Sequence, residues 1–392
     1  MLRIADEVIG QRVAPNVQPT KKETKMSLAA TMLQNIRVKN PDFDKNEHRL
    51  SVYGALDFFI EQSERDPLLT SEMKRQAMDS MGKTLQIPVI NYDGNVTVSN
   101  VRSCTVSDNE NTSALVGVTF ATYAIGFTVV PAMYSNNEID MQNDVEKKLK
   151  KCARALGAAL DTAAIAALEA AKTQVIADPL IYSFSSNVLG CPWESREDVL
   201  GDIEPMMNSN DFYGFTHIIG NTGVRSLLRK LAEHAQYNEV DRRLEWEGKY
   251  FHFTNRLAND TGKYGTFYAV ESGNVDMLYR YDREVARGGS GAGHTWEKYN
   301  MPYIGIPVGL HYYEAVGDQS SIAGDATADL TCAVKQYFGF SVDVAFVVAY
   351  NSAIAEKANP IIKVEIDGGS TYARPVKVVS SNDDPIFTQA AA

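Results

Sequence analysis

The chain has 392 residues, of which 44% are hydrophobic and 22% charged, the composition of an ordinary folded protein with one large or two modest domains. Its formal net charge of −11 argues against tight direct binding of nucleic acid, because such binding needs a positive surface. The four cysteines form no C-x-x-C pair, so the sequence contains neither a zinc knuckle nor a redox motif. The amino terminus lacks an apolar core long enough for a secretory signal, and we expect none.

The first 82 residues are predicted to form an arm with short helices. The best helical segments are residues 26–37 and 48–64, separated by the turn Asn40-Pro41-Asp42, and residues 68–81 add a third helix after Pro67. We expect much of this arm to have no core of its own and to lie on another surface.

Residues 85–106 carry apolar side chains with period two, which predicts two strands. Asp93-Gly94 separates the two runs and is typical of a hairpin turn. The candidate assembly residues are those at the predicted hairpin tip: Asn91, Tyr92, Asp93, Gly94 and Asn95. Because an isolated two-stranded hairpin is marginally stable in water, we expect this one to be stabilised by packing against another subunit.

Residues 114–133 are twenty positions without a charge, a length that can span a bilayer. The stretch also contains threonines, glycines and a proline, and no nearby lysine or arginine would orient a membrane helix. We therefore predict two buried strands, at about residues 116–121 and 125–130, and keep the membrane segment as the weaker alternative.

One very long helix is predicted over residues 144–173, with a length of about 45 Å. Its start is predicted by the capping box Asn143–Glu146, or alternatively by Ser135 before Glu138, and Asp178-Pro179 limits its end. The predicted apolar stripe advances in steps of three and four and consists of Val145, Leu149, Cys152, Leu156, Leu160, Ala163, Ala167 and Ala171. Alanine dominates the second half, so other elements can pack closely along it.

The remainder of the chain is predicted to consist mostly of strands. They are expected at residues 215–220, 250–255, 265–270, 276–281, 284–286, 305–313, 331–338 and 342–350. A helix is expected to follow Asn221. The tail should form a hairpin, with Asp367-Gly368-Gly369 between a strand at residues 361–366 and a second strand through residue 379.

Local catalytic motifs do not occur in the sequence. The run RGGSGAG at residues 287–293 fits neither G-x-G-x-x-G nor G-x-S-x-G, and we interpret it as a flexible surface loop. The six histidines never occur in H-E-x-x-H or H-x-H spacing, and we interpret His217, His252 and His311 as structural residues. We therefore predict a protein that is not an enzyme and has no catalytic residues, cofactor or metal site.

The order of these elements resembles the major capsid proteins of tailed bacteriophages, which have the Hong Kong 97-like fold. Four segments carry the resemblance: FTVVPAM, ARALGAALDTAAIAAL, FTHIIGNTGVRSLLRKL and VAFVVAYNSAIAEKANP. It covers about residues 40–360 in pattern and order. The resemblance implies an α+β fold with an N-terminal arm, an extended β-hairpin loop, a long spine helix, and peripheral and axial domains.

The domains implied by this resemblance follow the chain. They are the arm at 1–82, the extended loop and strand pair at 83–136, the spine helix of the peripheral domain at 137–177, the axial domain at 178–327, the return strands of the peripheral domain at 328–358, and a C-terminal hairpin extension at 359–392.

The resemblance implies a shell protein that self-assembles in the host cytoplasm into the hexamers and pentamers of an icosahedral virion head. The head would enclose double-stranded DNA without sequence-specific binding, and the expected partners are other copies of the chain and portal, scaffolding and decoration proteins, with no membrane. No lysine occurs between Lys83 and Lys147, so the loop cannot supply the lysine for the covalent cross-links that some relatives make. No long helical scaffolding segment precedes the arm, so we expect any scaffold to be a separate protein.

Two alternatives of other classes remain open. An encapsulin-like nanocompartment shell would use the same fold to hold an enzyme cargo, and an α+β enzyme would use an active site assembled from distant residues.

Overall fold

The computed structural model describes residues 53–79, 82, 84–91, 112–134, 138–172, 181–209, 212–231, 236–238, 243–246, 249–258, 262–291, 293–301, 304–316, 334–348 and 360–368. The predicted helix at residues 26–37 and the second strand of the predicted tail hairpin lie outside these residues.

Six α-helices occur in the described residues. They are α1 (Gly54–Arg65), α2 (Ser71–Asp79), α3 (Glu138–Ala171), α4 (Val199–Asn208), α5 (Thr222–Leu231) and α6 (Arg283–Arg287). The helix predicted after Asn221 is confirmed as α5. The Asn221 side chain caps it, because its Oδ1 accepts a hydrogen bond from the Gly223 backbone N–H at 3.0 Å.

The strands form one ribbon and two larger sheets. The ribbon consists of β1 (Thr84–Asn91) and β2 (Thr112–Thr119). The eight-stranded sheet contains, in spatial order, β4 (Ser183–Ser185), β5 (Val188–Cys191), β16 (Ile361–Asp367), β10 (Lys263–Glu271), β6 (Thr216–Gly220), β9 (Lys249–Phe253), β8 (Arg243–Trp246) and β7 (Gln236–Asn238). The six-stranded sheet contains β11 (Val275–Arg280), β15 (Val334–Val348), β14 (Pro307–Val316), β13 (His294–Asn300) and β12 (Gly289–Gly291), and β3 (Ala121–Val129) pairs with β15.

Helix α3 confirms the predicted long helix, with corrected ends. It has 34 residues and a length of about 51 Å. It begins at Glu138, so Asn143 lies inside the helix, and the alternative start before Glu138 agrees better with the structure. The predicted buried stripe is confirmed as far as Leu160, after which the buried apolar residues are Ala164 and Leu168. The predicted stripe advances by 3.5 residues on average, whereas one helical turn has 3.6 residues. Over a helix of this length the predicted positions therefore rotate slowly away from the buried face.

Two hydrophobic cores share the eight-stranded sheet. The first lies between α1, α3, the six-stranded sheet and one face of the eight-stranded sheet. The second covers the other face of the eight-stranded sheet with α4 and α5. On β10, Tyr268 belongs to the first core, whereas Phe267 and Ala269 belong to the second. This alternation between the two faces of one strand explains why nearly all of β10 is buried.

Part of the predicted arm belongs to the first core. In α1, Ala55, Leu56, Phe58 and Phe59 have no exposed surface and pack against the chain's own α3 and sheets. Helix α1 begins at Gly54, not at residue 48.

The uncharged stretch forms strands, as predicted, but the two strands do not pair with each other. Strand β2 pairs with β1, whereas β3 pairs with β15 in antiparallel register from Val129↔Gln336 to Ala121↔Val344. The expectation that both strands are buried is wrong: in β3 the residues before Val129 are exposed or partly buried, and in β2 Val118 is buried but Gly117 and Thr119 are exposed. Such alternation is typical of an antiparallel strand with one face on the core and one face on the surface.

Three local predictions are also corrected. The two strands predicted at 331–338 and 342–350 are one continuous strand, β15, because β3 pairs across Gly339 and the residues between the two runs. Residues 284–286 lie in α6. Within the glycine run, β12 pairs with β13, so part of the expected flexible loop is an exposed edge strand.

The domain division stays a prediction, and the strands of the predicted axial domain are shared between the two larger sheets. Residues 178–327 supply strands to both larger sheets, since β11 to β14 join β3 and β15. The strand β16, the first strand of the predicted C-terminal hairpin extension, lies between β5 and β10 near the middle of the eight-stranded sheet. Hydrogen bonding between distant segments decides this placement, and sequence order does not reveal it.

Candidate assembly interface

The predicted tip residues lie almost entirely outside the described part of the chain. Asn91 is the last residue of β1, where it pairs with Thr112. Tyr92, Asp93, Gly94 and Asn95 are not among the described residues. The predicted partner strand at residues 96–106 is not among them either, and the described partner of β1 is β2.

The ribbon of β1 and β2 is connected to the rest of the subunit at its base. Val118 and Phe120 are 6% and 3% exposed and belong to a third apolar cluster. The other buried members of this cluster are Leu69, Ala77, Leu278, Ala345 and Val347. The base of the ribbon is therefore packed against α2, β11 and β15.

Arg280 holds both chain segments at this base. Its Nη1 donates a hydrogen bond to the Gly82 carbonyl oxygen at 2.6 Å, just before β1. Its guanidinium lies 4.2 Å from the ring centroid of Phe120, just after β2, in a cation–π contact. Asp343 orients Arg280 by accepting a hydrogen bond from Nε at 3.1 Å, and Asp343 in turn accepts one from the Thr122 hydroxyl at 2.6 Å. A single buried arginine thus fixes where the ribbon leaves the sheet.

Asp161 connects α1 to the long helix. This fully buried carboxylate lies on α3 and accepts hydrogen bonds from the backbone N–H groups of Ala55 and Leu56, both at 3.0 Å, at the first turn of α1. The Thr254 hydroxyl donates to its other oxygen, and the Arg256 guanidinium lies 4.0 Å away. A negative charge at a helix N-terminus is favourable. Burial nevertheless raises the pKa of Asp161, although the hydrogen bonds from Thr254 and Leu56 oppose that rise.

A buried polar cluster lies where α1 meets the eight-stranded sheet. The two imidazoles of His217 and His252 are 3.2 Å apart between Nδ1 and Nε2, and Gln62 Nε2 lies 3.0 Å from His217 Nε2. Glu61 lies 3.9 Å from His252. These contacts agree with the interpretation of both histidines as structural residues, since each joins α1 to the sheet.

A second histidine pair was missed by the sequence interpretation. His294 of β13 and His311 of β14 lie 2.9 Å apart between Nδ1 and Nε2, and both are partly exposed on the six-stranded sheet. The sequence signal for this pair is the spacing His-x-Trp at residues 294–296 and His-x-Tyr at residues 311–313. In a strand, residues two positions apart lie on the same face, so each histidine shares a face with an aromatic ring. Burial lowers the pKa of His311, as does His294, and Asp282 opposes them.

Several large apolar side chains lie exposed on the described surface. The most exposed are Tyr213 at 74%, Phe215 at 63% and Ile181 at 61%. Tyr213 and Phe215 precede β6, and the Phe215 ring lies 6.2 Å from that of Tyr250. Adjacent exposed aromatic residues of this kind are typical of protein–protein contact surfaces.

One cavity bears on the enzyme alternative. Its volume is about 330 Å³, and it lies between α1, α2 and β11, with Ile60, Met78 and Met277 in its lining. Lys74 also lines it, but its ammonium group is 2.8 Å from Asp276 in an ion pair and donates to Ser63. This cavity therefore does not favour an active site.

Neither a metal-binding cluster of three side chains nor a membrane-spanning helix is found in the described residues. No group of three or more His, Cys, Asp or Glu side chains there could hold a metal ion. Among the helices of those same residues, none is both long and apolar enough to span a bilayer.

Solved structures of phages and of capsids match this chain at TM-scores below 0.5. A structure from Mycobacterium phage Che8 has a TM-score of 0.43 at 11% identity and covers 76% of this chain and 89% of that one. The capsid structure of the cyanophage P-SCSP1u has a TM-score of 0.42 at 10% identity, covering 74% of this chain and 84% of that one. The capsid of the native GTA particle has a TM-score of 0.36 at 10% identity, covering 76% and 92%. No protein-family model matches the sequence, and no curated protein matches it.

Proposed function

We propose that this chain is the major capsid protein of a tailed bacteriophage, with the Hong Kong 97-like fold. It assembles in the host cytoplasm into hexamers and pentamers of an icosahedral head, which encloses double-stranded DNA as part of the virion. Portal, scaffolding and decoration proteins are its further partners.

The observation that carries the proposal is the two-stranded ribbon. Its eight residue pairs extend about 27 Å, and it belongs to neither of the larger sheets. A ribbon of two strands is marginally stable by itself, yet Arg280 and the cluster around Phe120 hold its base at a defined place. A two-stranded ribbon that is separate from the larger sheets and held at its base is suited to reaching a neighbouring subunit.

Charge and surface composition are compatible with this role. An acidic chain with a net charge of −11 does not hold a packaged genome tightly, so the DNA can leave the head. The exposed aromatic side chains of Tyr213 and Phe215 supply apolar area for a contact between copies.

The first test is negative-stain electron microscopy of the purified full chain, with sedimentation velocity on the same sample. We expect closed shells, tubes or ring-shaped capsomers. A chain that stays monomeric at high protein concentration and under crowding contradicts unaided self-assembly.

A sharper test changes the predicted hairpin turn. Gly94→Val should penalise a turn that needs positive φ, and it should hinder assembly more than subunit folding. Gly262→Val is the matched control, because Gly262 has φ +85° with open space around its Cβ position but lies beside β10 in the subunit. The control should lower subunit stability. Equal loss of folding and assembly in Gly94→Val would contradict a role between subunits.

A further inference from the structure

His294 and His311 are held rigidly in a small array of rings. The Trp296 ring is parallel to that of His311, at an interplanar angle of 0° and a centroid distance of 5.1 Å. The Tyr313 ring lies 5.1 Å from His294 and 5.2 Å from His311. Because these neighbours restrict both imidazoles, a ligand that binds them would cost little side-chain entropy.

Glycines leave space on both sides of the pair. Gly291 of β12 is directly opposite His294, and Gly339 of β15 is directly opposite His311. A Cβ built on Gly291 would meet no atom within 4 Å, and one on Gly339 would be in ordinary contact with His311. The positions where neighbouring side chains would cover the two rings are therefore vacant.

The spacing of the facing nitrogens is that of a hydrogen bond, and it is also compatible with a chelate. His294 Nδ1 and His311 Nε2 are 2.9 Å apart. Two nitrogens each about 2.0 Å from a metal ion and at a right angle to each other are separated by about 2.8–2.9 Å, as in square-planar Cu²⁺ or Ni²⁺ sites. A tetrahedral Zn²⁺ site would need a wider separation, about 3.3 Å.

We propose that His294 and His311 form a two-histidine chelating site for a divalent transition-metal ion of tetragonal geometry, with Cu²⁺ bound most tightly and Ni²⁺ next. In the hydrogen bond between the two rings, one of the facing nitrogens carries a proton. When the metal binds, this proton moves to the other nitrogen of the same ring, so both facing nitrogens have a free lone pair and no proton is released. Water occupies the remaining positions.

The test is a Cu²⁺ titration of the full chain without an affinity tag, in a non-coordinating buffer, followed by calorimetry and electron paramagnetic resonance. We expect one Cu²⁺ per chain at this site, with hyperfine structure from two nitrogens. His294→Gln and His311→Gln should each weaken binding by about 100-fold, since each leaves a single ligand in place of a chelate.

Two further variants separate the metal site from the structural role of the rings. Gly291→Val keeps both histidines but fills the open space, so it should weaken Cu²⁺ binding. Tyr313→Phe keeps the ring array and should leave binding unchanged. Circular dichroism checks that each variant is folded. Cu²⁺ binding that is unchanged in both histidine variants, or a spectrum without two nitrogens, would overturn the proposal.

Discussion

At the scale of single residues, one buried carboxylate organises the contact between three elements. Asp161 of α3 accepts hydrogen bonds from the first turn of α1 and from Thr254, which directly follows β9. Buried donors that lose their acceptor cost much more than the hydrogen bond contributes net, so this position should be sensitive to substitution.

Asp161→Ala should lower the free energy of unfolding by about 3 kcal/mol or more, because it leaves two backbone N–H groups and a hydroxyl without their acceptor. Asp161→Asn is the matched control. It retains Oδ1 for Ala55 and Leu56, so its loss should be smaller, about 1 kcal/mol. Urea denaturation measures both. Equal losses would show that the charge of Asp161, and not its hydrogen bonds to α1, is what matters.

Asp57 makes the stability of the subunit depend on pH. Burial first, and then the charges of Asp161 and Glu61, raise the pKa of Asp57 to about 7. Since the pKa of Asp57 in the unfolded chain is 3.8, the folded state binds the proton more tightly than the unfolded state does. This proton binding stabilises the folded subunit fully below about pH 4, and the contribution to the free energy of unfolding is lost as the pH rises through 7.

Asp57→Asn should therefore raise the free energy of unfolding relative to the unmodified chain more at about pH 8 than at about pH 5. Urea denaturation at the two pH values measures this difference. Glu72→Gln in α2 is the control, because it removes an exposed carboxylate whose pKa is lowered by its hydrogen bond with Arg75. A difference of the same size between the two pH values in both variants would show that Asp57 is not the source of the pH dependence.

At the scale of elements, the close packing of Tyr53 against α3 leaves little room for a side chain at Gly157. A Cβ on Gly157 would lie 2.8 Å from the ring of Tyr53, whose hydroxyl donates a hydrogen bond to the Arg154 carbonyl oxygen. Gly201 in α4 provides a contrast, because nothing lies within 4 Å of its Cβ position.

Gly157→Ala should destabilise the subunit, although alanine is the better helix former. Gly201→Ala should instead stabilise it by about 0.5–1 kcal/mol, because there the helix propensity acts without a clash. Thermal unfolding of both variants measures the pair of opposite effects. A stabilising Gly157→Ala would mean that Tyr53 moves away from α3 at little cost.

At the scale of the whole molecule, the tail strand completes the fold. Ile361, Ile362, Val364 and Ile366 of β16 are fully buried or nearly so between β5 and β10. Lys363 also reaches α3, where its ammonium lies 3.3 Å from Glu169. Both cores therefore depend on a segment that is at least 90 positions away from β10 along the chain.

Deletion of residues 360–392 should prevent folding. The four aliphatic side chains contribute on the order of 10 kcal/mol, which is comparable with the stability of a typical domain, about 5–15 kcal/mol. Deletion of residues 369–392 is the matched control and should leave a folded subunit, because β16 remains. Circular dichroism and limited proteolysis measure both. A folded chain without β16 would show that the tail strand is not needed for folding of the subunit.

The sequence by itself determined the elements whose signals are local. Helical spacing, alternation and the Asn221 cap predicted α3, α5 and most strands, because these patterns depend on residues a few positions apart. Only the tertiary structure decided how the strands pair. It placed β3 and β16 in different sheets and brought His294 and His311 together, because hydrogen bonding between distant strands leaves no mark on spacing along the chain. The roles of Asp161 and Arg280 were likewise invisible, since each acts on backbone groups more than 100 positions away.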